Sequence, residues 1–208
     1  MENKIKQIGM ETGNQYEVII TSTNPDGTKN AAPMGLTLTG PTQIKLFINT
    51  FTHTLKNIEN TTHFAVNISQ NSLQFTTTAL GDIPQTEFTQ HHNTPILKET
   101  EAYLICKKTK QERKIETDHI NTHEIGIIDA EITDVQINKH NARVLNRGIY
   151  SIFDVLVAST RINLVDDETR QLYMHKIKEA KRLTNKVGNA HDKKAMQVIL
   201  KKLKEKGY

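Results

Sequence analysis

Tryptophan is absent from the 208 residues and aromatics make up only 5%, so the chain offers no obvious platform for stacking single-stranded nucleic acid. A single cysteine, Cys106, excludes an intramolecular disulfide and fits a reducing compartment. No apolar run approaches the roughly 20 residues that a membrane-spanning helix needs, and Met1–Lys6 lacks the apolar centre of a signal peptide. The expectation is a soluble, cytoplasmic protein. No Gly-x-Gly-x-x-Gly follows a strand, and neither a P-loop nor a Gly-x-Ser-x-Gly elbow is present, so Rossmann, P-loop and serine-hydrolase readings have no support. His91-His92 and His119-x-x-x-His123 bring no cysteine or carboxylate at zinc-site spacing; they read as surface histidines, and no metal site is expected. Cys106, flanked by Lys107 and Lys108, reads as a packed thiol in a strand rather than a reactive one.

What is present is β-rich first and helical last. Tyr16–Thr23 is β-branched and strand-like, Asn24-Pro25-Asp26-Gly27 is a turn, and Ala32–Thr39 completes an antiparallel hairpin. Gln43–Asn49 and His63–Ile68 read as further strands, with a short helix at Thr52–Asn60 between them. Gly81, Pro84 and Pro95 break the pattern over Ser69–Lys98, where loops and short helices are expected. Ala102–Lys110 and Ile125–Ile137 are the remaining strands, the latter partly alternating as a half-buried strand should. The character changes at Asn141. A helical stripe of Val144, Ile152, Val155, Leu156 and Ser159 predicts a helix over 143–161. Asp166-Asp167-Glu168 opens a second helix, Gly188-Asn189 ends it, and a third runs from about Ala190 to Glu205. Segregated strands and helices mean an α+β fold, divided into a β-rich domain over 1–140 and a helical part over 141–208. Residues 170–208 hold 12 lysines and arginines against 3 acidic residues. Without interleaved aromatics, this excess reads as a solvated helical face, and nucleic acid is an unlikely partner.

Chemistry is concentrated between Asn30 and Asn67. Thr50, Thr52 and Thr54 recur around the start of the short helix, with Lys56 and Asn57 one turn in. Hydroxyls, unpaired N–H groups and the positive helix end together suit a phosphate or another anion; an ordinary threonine cap is the simpler alternative. In Asn30-Ala31-Ala32-Pro33-Met34-Gly35, small residues and a proline let a flat ligand approach the strand closely, so that backbone groups read its polar edge. The alternative is a strand with a bulge at Pro33.

Taken in order, Tyr-Glu-Val-Ile-Ile-Thr, Asp-Gly-x-x-Asn-Ala-Ala-Pro-Met-Gly, the threonine-rich helix start and Phe-Ala-Val-Asn resemble the FMN-binding split-barrel flavoproteins. More closely, the chain resembles the prokaryotic group known as domain of unknown function 447; Asn146-Arg147-Gly148 and Val157–Arg161 resemble its helical extension. Thr52 and Lys56 stand nearest to the places where that group often has a serine and an aromatic. The resemblance implies an antiparallel Greek-key split barrel of the flavin reductase-like kind with a C-terminal helical extension. It further implies a homodimer with one FMN per subunit near the interface. The implied cofactor contacts are Asn30, Ala31, Ala32, Pro33, Met34, Gly35, Thr50, Thr52, Thr54, Lys56, Asn57, Asn67, Asn146 and Arg147. No side chain stands out as a general acid or base. The expected activity is a flavin-dependent oxidoreductase of unknown substrate, with a non-catalytic flavin or nucleotide carrier or sensor as the alternative.

Overall fold

The computed structural model describes residues 1–117 and 122–208. The chain divides into two compact units, Met1–Leu145 and Asn146–Tyr208.

In the first unit, β1 (Gln15–Thr23), β2 (Lys29–Leu38), β3 (Gln43–Asn49), β4 (His63–Ile68), β7 (Ala102–Thr117) and β8 (Thr122–Ile137) close an antiparallel barrel in the order β1-β2-β3-β8-β7-β4. The β1–β2 turn forms as its residues demand. Gly27 takes φ +85°, and Asn24 closes the hairpin by donating its N–H to the Thr28 carbonyl at 2.8 Å. Val18, Ile20, Leu36, Leu46, Phe64, Val66, Leu104 and Ile128 fill the interior and are fully buried. A short helix that no periodicity announces, α1 (Glu2–Gln7), joins them through Ile5, while Ile8 and Met10 just beyond it are also in the core. Each such side chain stabilises by ~1.5–3 kcal/mol on burial, enough together to hold one turn of helix with no side-chain cap.

Between β4 and β7 the chain forms α3 (Ser72–Leu80), a 3₁₀ turn at Gln85–Glu87, and a small hairpin of β5 (Phe88–His91) and β6 (Thr94–Leu97). The hairpin is a correction to the loops expected there. His92 and Asn93 both take positive φ, 47° and 64°, as a two-residue type I′ turn requires. No glycine marks this turn in the sequence. Phe75, Ile83, Phe88 and Leu97 cover Ile19, which explains why Val18–Ser22 is buried on both faces.

The strands β7 and β8 outrun expectation, pairing from Ala102↔Ile137 to Thr117↔Thr122 with register shifts at Ile105–Cys106 and at Lys108–Lys110. Cys106 is fully buried in β7, and burial pushes its thiol pKa up.

The second unit contains α4 (Arg147–Arg161), α5 (Asp167–Val187) and α6 (Ala190–Glu205) around Val155, Ile162, Ile177, Ala180, Met196, Ile199 and Leu203. Asp166 caps α5 and Asn189 caps α6, the latter in a reciprocal capping box with Asp192. The first helix starts later than the apolar stripe implies. Val144 packs in the barrel core, and Leu145 accepts a hydrogen bond from Glu17 N at 2.8 Å. No helix among the described residues is long and apolar enough to cross a membrane.

Candidate functional site

The helix α2 (His53–Asn60) begins with Thr52 as N-cap, its hydroxyl oxygen accepting from Leu55 N at 3.2 Å. Thr52 N in turn donates to Asn49 O at 3.1 Å. Among the described residues, this leaves the N–H groups of His53 and Thr54 as the two donors at the helix start without a protein acceptor. They stand beside a concavity of about 230 Å³ lined by Asn30, Ala31 and Ala32, by Thr52, His53 and Thr54, and by Thr78, Ala79, Gly81 and Asp82 at the end of α3. Asn30 Nδ2 donates to Thr54 Oγ1 at 3.1 Å, so the threonine oxygen is the acceptor there and its own O–H remains available as a donor.

Along the same wall runs an open strand edge. β2 pairs with β1 over Lys29–Thr37 but with β3 only over Leu36–Leu38. Leu38 N donates to Asn14 O at 3.2 Å, and Thr28 O accepts from Asn24 N at 2.8 Å. Even-numbered residues of β2 therefore turn their backbone groups to β1, and odd-numbered ones turn away. Lys29 is clasped at one end of the free edge, where Gln85 Nε2 donates to its carbonyl (2.9 Å) and Gln85 Oε1 accepts from its N–H (2.8 Å). Thr37 is paired with Lys45 at the other. Between them Ala31, Pro33 and Gly35 present two N–H donors and three carbonyls to the site. Proline is tolerated here because its missing N–H lies on the unpaired side. Ala31 and Gly35 add almost no bulk.

The sequence-predicted residues separate accordingly. Asn30, Ala31, Ala32, Thr52 and Thr54 line one concavity, and Pro33 and Gly35 continue its edge; Met34 packs its side chain against the barrel core. Thr50 donates to Glu124 O at 3.2 Å, and Thr52 donates to Asn49 O at 2.9 Å, so both hydroxyls are engaged locally. Lys56 is exposed on α2 and does not line the concavity. Asn57 is 2% exposed and donates to Ser22 Oγ (3.0 Å) and Asn24 Oδ1 (2.7 Å), tying α2 to the first hairpin. Asn67, fully buried, donates to Ile19 O and Thr21 Oγ1 and accepts from Leu97 N, bracing β1, β4 and β6. Asn146 and Arg147 belong to the second unit, where Asn146 caps α4 and donates to Val187 O at 2.9 Å. His53, Thr78, Ala79, Gly81 and Asp82 were missed. The only signal for the last four is the run of small and hydroxyl residues that ends α3.

His91 has structural partners on both ring nitrogens. His91 Nδ1 lies 3.0 Å from Tyr103 Oη and its Nε2 lies 3.1 Å from Asp134 Oδ2, which pins the β5–β6 hairpin to the barrel. His91 is thus half-buried rather than the surface histidine expected. No cluster among the described residues could hold a metal ion, and His119 lies outside them. A larger concavity of about 470 Å³ beside α1, lined in part by Ile5, Met10, Leu38 and Pro41, has neither a helix start of normal length nor a strand edge.

Solved structures repeat this architecture. The FMN-bound protein MM1853 from Methanosarcina mazei is 22% identical, with 95% of this chain and 99% of that one aligned at a TM-score of 0.56. The nitrilotriacetate monooxygenase component B from Bacillus cereus is 15% identical over 70% of this chain and 81% of its own, at 0.51. Residues 16–139 match the N-terminal domain of the family described as "Protein of unknown function (DUF447)", and residues 146–201 match its following domain. With both domains present in order over most of its length, the chain belongs to the DUF447 family.

Proposed function

We propose that the protein binds FMN and serves flavin-dependent redox chemistry. The observation that carries this reading is the open β2 edge at Ala31–Gly35 beside the bare N-terminus of α2. The two features match the two ends of FMN. A flavin ring has a flat polar edge of alternating acceptors and an N–H, which suits the carbonyls of Ala31, Pro33 and Gly35 together with the N–H groups of Ala31 and Gly35. A phosphate suits the N–H groups of His53 and Thr54 and the Thr54 hydroxyl that Asn30 orients. The FMN-bound relative supports the choice of ligand. Bound FMN would supply hydride or electron transfer, and the protein would supply orientation and electrostatics. Asp82 opposes the phosphate from the far wall.

Flavin fluorescence on titration tests the reading directly. FMN should be quenched on binding, and a protein that leaves added FMN unquenched and unbound overturns it. Thr54→Val should weaken FMN binding by roughly ten- to a hundredfold, since a charge-assisted hydrogen bond contributes ~1.5–3 kcal/mol. Riboflavin, lacking the phosphate, should bind wild type and variant alike. Asp82→Asn should tighten FMN about threefold to tenfold at low salt, because a like charge near the phosphate is removed. Reduction of the bound flavin by NADH or NADPH within seconds would distinguish an oxidoreductase from a carrier.

A further inference from the structure

The concavity beside α2 is lined by no lysine and no arginine; its titratable side chains are His53 at the helix start and Asp82 after α3. The other charged groups around α2 lie elsewhere. Lys56, one turn on, is exposed and outside the lining, and Lys29 precedes the lining residues of β2. At the far end of α2, Glu59 is bound by Arg113 at 3.0 and 2.9 Å, and the same guanidinium lies 3.6 Å from Glu124. On β1 and the turn that follows it, the groups that meet α2 are the uncharged Ser22 and Asn24.

A phosphate monoester carries close to two negative charges above pH 7. Against it stand the N–H groups of His53 and Thr54, the Thr54 hydroxyl, and the fractional charge of about +0.5 at the helix start. These donors can bond the phosphate oxygens but cannot balance their charge, and the Asp82 carboxylate adds to the excess. One lining side chain can become a cation. The His53 imidazole is exposed and forms no hydrogen bond or ion pair with any described residue, so both ring nitrogens are available. Histidine is also the side chain that ordinarily changes charge between pH 5 and 8.

We infer that His53 takes up a proton from solvent as FMN binds and supplies the phosphate with its one lining cation, so that FMN affinity falls as pH rises. This rests on the FMN reading above and adds a pH dependence to it. The sign follows from linkage. A dianion beside the imidazole favours its charged form, so the complex holds more protons than protein and ligand apart. The extra affinity is fully present where His53 is protonated even in the free protein, and it is lost as pH rises through the titration of the complex.

Calorimetric titration with FMN at about pH 7.5, in two buffers of different ionisation heat, reads the proton directly. Wild type should take up roughly half a proton or more per FMN, and His53→Gln close to none. Riboflavin should exchange no proton with either. From about pH 6.5 to 8.5 the wild-type affinity for FMN should fall about three- to tenfold, up to tenfold per pH unit being the limit for one proton. The phosphate's own ionisation can only strengthen binding over that range, so a fall cannot come from the ligand. His53→Gln should be weaker at the acid end and show no fall, whereas His53→Lys, with a fixed charge, should stay tight throughout. Because His53 is exposed, both variants should keep the wild-type circular dichroism. FMN that binds wild type without proton uptake, or a His53→Gln variant with the wild-type pH profile, overturns this inference and leaves the FMN reading standing. A protein that binds FMN at none of these pH values overturns that reading itself.

Discussion

Amides show how little a polar residue type says about its own role. Asn30, Asn57 and Asn67 all sit near the candidate site in sequence, yet only Asn30 lines it. Asn67 instead satisfies three buried groups on two strands, and its replacement leaves them unpaired. Asn67→Ala should therefore destabilise the protein by about 3 kcal/mol in urea denaturation, with flavin affinity falling only as far as folding does. Had the residue held the cofactor, affinity would fall at full stability. Cys106 is the complementary case. With its thiol buried and its pKa raised, it should stay unreactive towards a disulfide reagent at pH 8 and react only at the rate of unfolding.

Among the elements, those with strong local signals formed where they were expected. Caps at Thr52, Asp166 and Asn189 start their helices, and Gly188-Asn189 separates the last two. The Asn146-Arg147-Gly148 segment was legible as important and not as to why. A Cβ on Gly148 would lie 2.7 Å from the Gly188 Cα and 3.2 Å from Asp192 Oδ2, so the start of α4 meets the α5–α6 junction at main-chain distance. Because backbone cannot swing aside, Gly148→Ala should destabilise the helical unit by ~1–3 kcal/mol, seen as a lowered melting transition by circular dichroism. α1 and the β5–β6 hairpin were not legible. The first is too short for periodicity to register, and the second turns on His92-Asn93 rather than on a glycine.

Over the whole molecule, charge is unevenly divided: residues 1–145 hold 13 basic and 16 acidic side chains, and residues 146–208 hold 14 and 7. Several carboxylates titrate below their ordinary range. Thr28 hydrogen bonds lower Asp26, and the Thr169 N–H lowers Asp166 at its cap. Lys110 lowers Glu112; at Asp134 burial pushes the carboxyl up, but bonds from Gln136 and Val135 together with nearby favourable charge bring it below its ordinary range. A depressed folded-state pKa contributes stability that is fully present above the unfolded value and is lost as pH falls through the folded one. The urea midpoint should thus hold between pH 6 and 7 and drop below about pH 4. An unchanged midpoint at pH 3 would show that these bonds do not persist in solution.

The first hairpin, the helix starts capped by Thr52, Asp166 and Asn189, and the division between a β-rich and a helical part were determined by the chain alone. These depend on neighbours a few residues apart: a Pro-Asp-Gly turn, a hydroxyl before a helix, an apolar spacing of two or three to four. What only the tertiary structure decided is which of those elements meet. The open β2 edge exists because β3 leaves β2 after three paired residues to join β8. The far wall of the site comes from the end of α3, nearly fifty residues from Asn30. Thr54 lines the site and Asn57 does not, because one faces that wall while the other, a turn later, is drawn under the first hairpin. Such distinctions arise from pairing between distant strands, which fixes direction and register for every side chain at once and leaves no mark within any single segment.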